Sequence, residues 1–190
     1  MVLLQSIRDG IEPAHTNKIF SCRFAPDGSN MIYTGGWDNA VRFWDVRSGD
    51  KLFGLLGPQI NGECVDLSQD MTTVLTGGGT LGEGLQLWDM RNMDKPFATI
   101  KWDPTDKDKP NPMTYCCRFV PHQPLVLAGA RDEKAAKCFD INSGSVVKEF
   151  PVPDDCYAMD ISRSGNLVGF GDGGGWMHME NLNYARILDD

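Results

Sequence analysis

The chain has 190 residues with a formal net charge of −8, and 41% of them are hydrophobic. This hydrophobic content favours a packed core over a disordered chain. The acidic balance disfavours binding to nucleic acid or to anionic membrane surfaces, which both require clustered basic residues. Six cysteines without a CxxC pair, and only three histidines, predict no metal site and no cofactor. Thiols inside apolar runs indicate a reducing, intracellular compartment, the cytoplasm or the nucleus.

Short runs of alternating polar and apolar residues, separated by turn residues, predict strands along the whole chain. A leading strand is predicted over residues 2–7. Four units of four strands follow, at residues 19–24, 30–34, 40–46 and 51–56; 63–68, 72–76, 84–90 and 96–102; 115–120, 125–130, 135–141 and 145–150; 156–162, 167–170, 175–180 and 184–189. No stretch shows a convincing helical period, so the fold is predicted to be all-β.

The third strand of each unit ends on a related pair of residues. Trp44-Asp45 and Trp88-Asp89 stand 44 residues apart, followed by the degraded pairs Phe139-Asp140 and Met179-Glu180. A charged, proline-rich segment at residues 102–112 lengthens the third step and is predicted to be an exposed loop insertion. A period of about 40–45 residues indicates a repeat architecture.

With these pairs and this period, the chain resembles the WD40 repeat proteins, which are β-propellers of four-stranded antiparallel blades. The resemblance implies a single partial propeller over residues 1–190, with blades at about 15–57, 60–102, 113–151 and 155–189. Residues 2–7 would be the outer strand of a preceding blade. Because the family usually closes its ring with seven blades, four units predict an open propeller from a longer chain. Its exposed end blades would favour self-association.

The resemblance also implies a hydrogen-bonded tetrad within each blade. The first unit supplies all four members, His15, Thr34, Asp38 and Trp44. A buried indole N–H and a buried imidazole need partners, which the hydroxyl and the carboxylate provide. Later units keep only parts of the tetrad, namely Thr76 and Trp88 in the second and Asp132 in the third.

One end of the propeller is the predicted partner-binding face. Alignment of the first strands brings Phe20, Tyr115 and Tyr157 into the same position at the strand entrance. Trp37 and Arg131 precede the tetrad aspartate position, and Lys18 would lie at the rim. Such residue types dominate interface hot spots, although the rings could instead pack between blades. The chain is therefore predicted to be a non-enzymatic scaffold that docks a protein or peptide.

The alternative is an enzyme that uses the propeller as a frame. Its only acidic groups on the first strands are Glu63, Asp66 and Asp160. No Ser–His–Asp or Cys–His arrangement can be assembled from the sequence, so no catalytic residue is predicted. The glycines of residues 77–82 match a dinucleotide fingerprint by letter but lead into a strand rather than a helix.

Overall fold

A computed structural model of the chain describes residues 14–106 and 108–182. These residues form 15 strands and no helix, which confirms the all-β prediction. Blade 1 contains β1 (Ile19–Phe24), β2 (Met31–Gly36), β3 (Ala40–Asp45) and β4 (Lys51–Leu56). Blade 2 contains β5 (Val65–Leu67), β6 (Thr73–Gly77), β7 (Leu85–Asp89) and β8 (Ala98–Ile100). Blade 3 contains β9 (Thr114–Phe119), β10 (Leu125–Ala130), β11 (Ala135–Asp140) and β12 (Val146–Pro151). Blade 4 contains β13 (Cys156–Ile161), β14 (Leu167–Asp172) and β15 (Met177–Asn181).

Each blade is an antiparallel sheet whose strands pair in chain order. Three sheets have four strands, and the described part of blade 4 has three. The predicted leading strand at residues 2–7 and the predicted outer strand at 184–189 lie outside the described residues. Among the described residues there is no helix of the length and hydrophobicity that a membrane crossing requires.

Consecutive blades pack face to face, because alternate side chains of each strand point to opposite faces of its sheet. One buried cluster joins blades 1, 2 and 3 through residues such as Tyr33, Leu87 and Phe139. A second cluster joins blades 3 and 4, with Phe150 and Phe170 in contact at 5.3 Å between ring centres. Blade 3 lies inside this stack, and every residue of β10 is buried.

A buried carboxylate links the first three blades at their inner strands. Asp66, on β5, accepts a hydrogen bond from the Tyr33 hydroxyl at 3.0 Å and one from the Phe119 backbone N–H at 2.8 Å. Arg23 Nη1 lies 3.3 Å from the same carboxylate. Burial and the neighbouring Asp66 charge raise the pKa of Tyr33, so its hydroxyl stays protonated and donates. Asp66 therefore fixes the positions of the three sheets relative to one another.

The insertion between blades 2 and 3 is exposed only in its middle. Its two ends are buried at Trp102 and Asn111. The Asn111 side chain accepts a hydrogen bond from the Trp102 backbone N–H at 2.9 Å and donates to the Gly82 carbonyl at 3.2 Å. The prediction of a freely exposed loop is therefore wrong at both ends, because these contacts tie the loop to the turn of blade 2.

The Asp66 contacts predict a large loss of stability on truncation. Asp66→Ala leaves the Tyr33 hydroxyl and the Phe119 N–H without their acceptor, so we expect the free energy of unfolding to fall by about 2–4 kcal/mol. Chemical denaturation followed by tryptophan fluorescence measures the change. Asp94→Ala, at an exposed turn position, is the matched control. A loss no larger than that of the control would contradict the linking role of Asp66.

Candidate partner-binding surface

The four tetrad residues of blade 1 form a continuous hydrogen-bonded chain. Trp44 Nε1 donates to Thr34 Oγ1 at 2.8 Å, and Thr34 Oγ1 lies 2.6 Å from His15 Nε2. His15 Nδ1 lies 2.8 Å from Asp38 Oδ1. Since the Thr34 hydroxyl accepts from the indole, it donates to Nε2, and Nδ1–H donates to the carboxylate. The His15 and Asp38 side chains are each only 2% exposed, so water does not compete for these bonds.

The tetrad fixes the turn that carries Trp37. Asp38 Oδ2 accepts a hydrogen bond from the Thr16 backbone N–H at 3.2 Å. The Trp37 N–H donates to the Lys18 carbonyl at 2.9 Å, and Asn39 closes the turn with φ of 55°, a left-handed conformation that asparagine tolerates. The indole of Trp37 is thereby held at the end of the blade, with 38% of the residue exposed.

Electrostatics keep the Asp38 carboxyl ionised. Burial by itself would raise its pKa, but hydrogen bonds from His15 and from the Thr16 N–H, together with the nearby Arg42 charge, bring the pKa below its usual value of 3.8. The Arg42 guanidinium lies 3.4 Å from Oδ2. The charged form of Asp38 is thus the one that the blade 1 turn requires.

Blades 2 and 3 depart from this arrangement in different ways. In blade 2, Trp88 Nε1 donates to Thr76 Oγ1 at 2.9 Å, so the tryptophan–threonine bond of the tetrad is retained. In blade 3, the Asp132 side chain is 83% exposed and lies 3.3 Å from Arg131 Nε. The Asp132 carboxylate forms no tetrad bond, because the segment before β9 contains no histidine equivalent to His15, the tetrad partner of Asp38.

Blade 3 has a different support in place of a tetrad. Trp102, from the linker after blade 2, packs on Phe139 with 5.7 Å between ring centres. Its indole Nε1 donates to Glu133 Oε2 at 2.8 Å, and Lys109 Nζ lies 2.9 Å from Glu133 Oε1. Sequence reasoning missed this arrangement because the tryptophan comes from outside the repeat unit that it supports.

In blade 4, the Asp172 carboxylate lies 2.9 Å from His178 Nε2 and accepts the Trp176 backbone N–H at 2.8 Å. Trp176 follows Asp172 in the turn between β14 and β15, and 67% of this residue is exposed. The turn corresponds to that of Trp37 in blade 1. Sequence reasoning treated Trp176 only as part of a strand, although its position in this turn was the available signal.

The predicted surface residues all lie at one end of the sheets, which we call the loop face. This end contains the starts of β1, β9 and β13 and the turns between the second and third strands of each blade. The contacts among the six predicted residues divide them into two aromatic groups. The blade 1 group consists of Lys18, Phe20 and Trp37. The blade 3–4 group consists of Tyr115, Arg131 and Tyr157.

In the blade 1 group, the Phe20 and Trp37 ring centres lie 5.0 Å apart. Lys18 Nζ lies 5.0 Å from the centre of the Trp37 ring, within the range of a cation–π contact. Trp37 Nε1 donates to Asn61 Oδ1 at 2.6 Å. These contacts orient an exposed aromatic surface beside a positive charge.

In the blade 3–4 group, the Tyr115 and Tyr157 ring centres lie 4.7 Å apart. The Tyr157 hydroxyl donates to Asp155 Oδ2 at 3.4 Å. Burial, followed by the Asp155 charge, raises the pKa of Tyr157, against an opposing effect of Arg131. The two rings thus pack between blades 3 and 4, as the alternative of interblade packing predicts, yet 44% of Tyr157 remains exposed.

Residues between blades 1 and 2 connect the two groups. Asn61 holds the Trp37 indole, while the next residue, Gly62, lies directly against the Tyr115 carbonyl. A Cβ at Gly62 would collide with that oxygen, so only glycine allows this close approach. The two groups are therefore fixed relative to each other by one short segment.

The loop face also contains a pocket of about 390 Å³ beside Arg131. Its lining includes Leu81, Pro110, Pro112 and Met113. Leu81 is 68% exposed. The pocket offers a mainly apolar recess with a guanidinium at its edge.

A larger groove of about 920 Å³ lies at the opposite end, where the first strands finish. Residues from the turns after the first strands line part of it, including Pro26, Ser68 and Pro121, together with Phe97. No sequence prediction concerned this end of the molecule.

The three carboxylates of the enzyme alternative are all engaged in contacts between blades. Asp66 is buried among Tyr33, Phe119 and Arg23, as described above. The Glu63 carboxylate pairs with Arg118, and Asp160 Oδ1 lies 4.0 Å from Arg118 Nε. Within residues 14–106 and 108–182, no group of three or more His, Cys, Asp or Glu side chains is arranged to hold a metal ion.

The four sequential antiparallel sheets, packed face to face with a tetrad in the first, define a β-propeller of the repeat type. A family model described as "WD domain, G-beta repeat" matches residues 7–45, which include the whole tetrad. This match and the similarity to the proteins described next support a WD40 repeat protein, the family that the Trp-Asp pairs predicted.

Several curated proteins are similar to parts or most of the chain. Ribosome assembly protein 4 of Chaetomium thermophilum is 44% identical over 45 residues, which cover 24% of this chain and 9% of that protein. Diphthine methyltransferase of Homo sapiens is 31% identical over 83 residues, or 39% of this chain and 18% of the enzyme. Guanine nucleotide-binding protein subunit beta of Zea mays is 21% identical over 202 aligned positions, which cover 97% of this chain and 51% of that protein. The chain thus spans about half the length, or less, of these relatives.

The lowered pKa of Asp38 predicts a pH-dependent contribution to stability. Because the folded-state pKa lies below the unfolded value, ionised Asp38 stabilises the fold above pH 3.8, and this contribution is lost as the pH falls through the folded pKa. We expect Asp38→Asn to reduce the fall of the thermal unfolding midpoint between about pH 5 and pH 3. Thermal melts followed by circular dichroism at each pH measure the unfolding midpoint, and Asp94→Asn is the control. Equal slopes for Asp38→Asn and wild type would contradict the role assigned to the charge.

Proposed function

We propose that this WD40 protein is a scaffold that docks a protein or peptide partner on its loop face. The observation that carries the proposal is the pair of aromatic groups, each with a cation, fixed at one end of the blades by the segment at residues 61–62. Trp, Tyr and Arg supply most of the binding energy in interfaces when they lie in preorganised positions. Trp37 and Tyr157 are both oriented by hydrogen bonds while much of each residue stays exposed.

The chemistry of the surface favours a partner with apolar side chains. The pocket lined by Leu81, Pro110 and Met113 would accept an aliphatic or aromatic anchor. The positive charges of Lys18 and Arg131 and the negative charge of Asp155, at the edges of the surface, would orient the bound partner. The net charge of −8 opposes nucleic acid and anionic membranes as partners. The six free cysteines suit the cytoplasm or the nucleus.

We further propose that the chain is not an enzyme. Its inner-strand carboxylates are each paired with an arginine or with backbone donors, so none is left poised as a general base. The similarity to a methyltransferase covers only 39% of this chain and 18% of that enzyme, and a shared fold does not by itself imply a shared activity.

Removal of one ring from each aromatic group tests the docking proposal. We expect the double variant Trp37→Ala, Tyr115→Ala to lose capture of the partner from a cell extract, because each truncated hot-spot residue costs about 2 kcal/mol or more of binding energy. Trp176→Ala should weaken capture to a smaller extent, since its turn belongs to the same face. Affinity purification with quantitative mass spectrometry identifies the partner and measures the loss.

Phe97→Ala is the matched control, because Phe97 is 59% exposed and lines the groove at the opposite end. Far-ultraviolet circular dichroism and thermal melts verify that each variant folds. Full capture by the double variant would overturn the proposal. Loss of capture by Phe97→Ala alone would also overturn it and would place the docking site on the opposite groove.

A further inference from the structure

Two buried thiols meet at the contact between blades 3 and 4. Cys116 lies on β9 and Cys156 is the first residue of β13, and neither is exposed to solvent. Their Sγ atoms are 3.8 Å apart, and Cys116 Sγ also lies 3.7 Å from the Cys156 carbonyl. Because a disulfide bond is about 2.05 Å long, the two sulfurs need to approach each other by only about 1.8 Å to form one.

The space that holds both sulfurs exists because β10 has a glycine beside them. Gly129 pairs with Cys116 in the register of β9 and β10. A Cβ at Gly129 would lie 2.5 Å from Cys156 Sγ and 2.7 Å from Cys116 Sγ, too close for any other residue to fit without displacing them. The two sulfurs therefore share one recess between the blades, with no side chain from β10 between them.

The repeat provides an internal comparison at the contact between blades 2 and 3. Cys64 and Thr114 stand there at the positions that Cys116 and Cys156 occupy in the next contact. Cys64 Sγ donates to the Thr114 carbonyl at 3.0 Å, which is the same arrangement with one thiol replaced by a hydroxyl. In blade 1 the position of Cys116 is occupied by Ser21. Among the described contacts between consecutive blades, the one between blades 3 and 4 thus has thiols at both positions.

The surroundings make the two thiols chemically unequal. A hydrogen bond from Cys116 lowers the pKa of Cys156 against the opposing effect of burial. Burial, followed by the hydrogen bond with Cys156, raises the pKa of Cys116. Cys156 also lies at a strand entrance, between the partly exposed Asp155 and the exposed Tyr157. Since the thiolate is the reactive form of cysteine, Cys156 is the better nucleophile of the pair.

We propose that Cys116 and Cys156 form a reversible disulfide between blades 3 and 4 when a peroxide oxidises the protein. The Cys156 thiolate attacks one oxygen of hydrogen peroxide and the O–O bond breaks. Cys156 becomes a sulfenic acid, and the leaving hydroxide takes up the proton that the thiol had released, giving water. Cys116 Sγ then attacks the sulfenic sulfur, the S–O bond breaks, and the hydroxyl leaves with the Cys116 proton as a second water. Two thiols are oxidised while one peroxide is reduced to two waters.

The bridge joins the two strand entrances that carry the tyrosines of the loop face. Tyr115 precedes Cys116 and Tyr157 follows Cys156, and their ring centres lie 4.7 Å apart. The register of each first strand shifts at these tyrosines, as in a β-bulge that re-aims a side chain. In a reducing compartment such a disulfide is transient and regulatory. An effect on docking rests on the function proposed above, whereas formation of the disulfide requires no partner.

Peroxide treatment of the folded 190-residue chain tests the proposal. A Cys22→Ser background removes the exposed thiol and prevents links between copies, which leaves five of the six cysteines. N-ethylmaleimide labelling after denaturation counts the free thiols, and mass spectrometry of an unreduced digest maps the bridge. We expect two of the five thiols to become protected, in a linked pair of peptides that contain Cys116 and Cys156. Dithiothreitol should restore all five.

Single substitutions in the same background assign the bridge. Cys116→Ser and Cys156→Ser should each abolish it, because either sulfur is then missing. Cys64→Ser is the matched control, since Cys64 is the buried thiol at the equivalent position of blade 2, and it should leave the yield unchanged. Cys117→Ser is the second control and separates Cys117 from its neighbour Cys116. Circular dichroism verifies that each variant folds.

Three outcomes would overturn the proposal. One is that all five thiols still react after peroxide treatment. Another is a link that includes Cys64 or Cys117; Cys117 contributes to the raised pKa of Cys64, after burial, and is its alternative partner. The third is a sulfinic acid at Cys156 without any link, which would show that Cys116 does not reach the sulfenic sulfur.

Discussion

The architecture depends on a buried carboxylate shared by three sheets. Asp66 on the inner strand of blade 2 accepts hydrogen bonds from Tyr33 of blade 1 and from the backbone of blade 3, while Arg23 balances its charge. A buried charge with fewer partners would be strongly destabilising, so the carboxylate imposes the relative positions of the groups around it. The network joins β2, β5 and β9, and the aromatic residues Trp37 and Tyr115 lie at the opposite ends of β2 and β9.

Support for the turns of the loop face differs from blade to blade. Blade 1 uses the complete tetrad, blade 2 keeps the Thr76–Trp88 bond, and blade 3 relies on Trp102 from the preceding linker. These solutions are physically equivalent, since each places a large aromatic side chain in a dry site and gives any polar group a partner. Decay of the repeat motif therefore does not imply decay of the fold.

Much of the fold could be predicted from the sequence because strand alternation and the Trp-Asp period are local. The strands of blades 1 and 3 lie within one or two residues of their predicted positions. The tetrad residues of blade 1 also meet as the motif implies. Contacts between residues that are far apart in the sequence could not be predicted in this way. Asp132 has the right residue type and spacing, but its carboxylate is 83% exposed and blade 3 has no histidine equivalent to His15 to bond it. Trp102 looked like the start of a loop, although its side chain supports another blade.

The repeat, the all-β class and the end of the blades that carries the aromatic residues can be predicted from residue order alone, because they depend on periods of two residues and of about 40–45. The contacts between blades become visible only in the folded molecule. Arg23 pairs with Asp66, Arg118 pairs with Asp160, and Gly62 lies close to the Tyr115 carbonyl. Each of these contacts joins residues of different repeats. Such contacts depend on how sheet faces pack in three dimensions, so the order of residues within one repeat does not predict them.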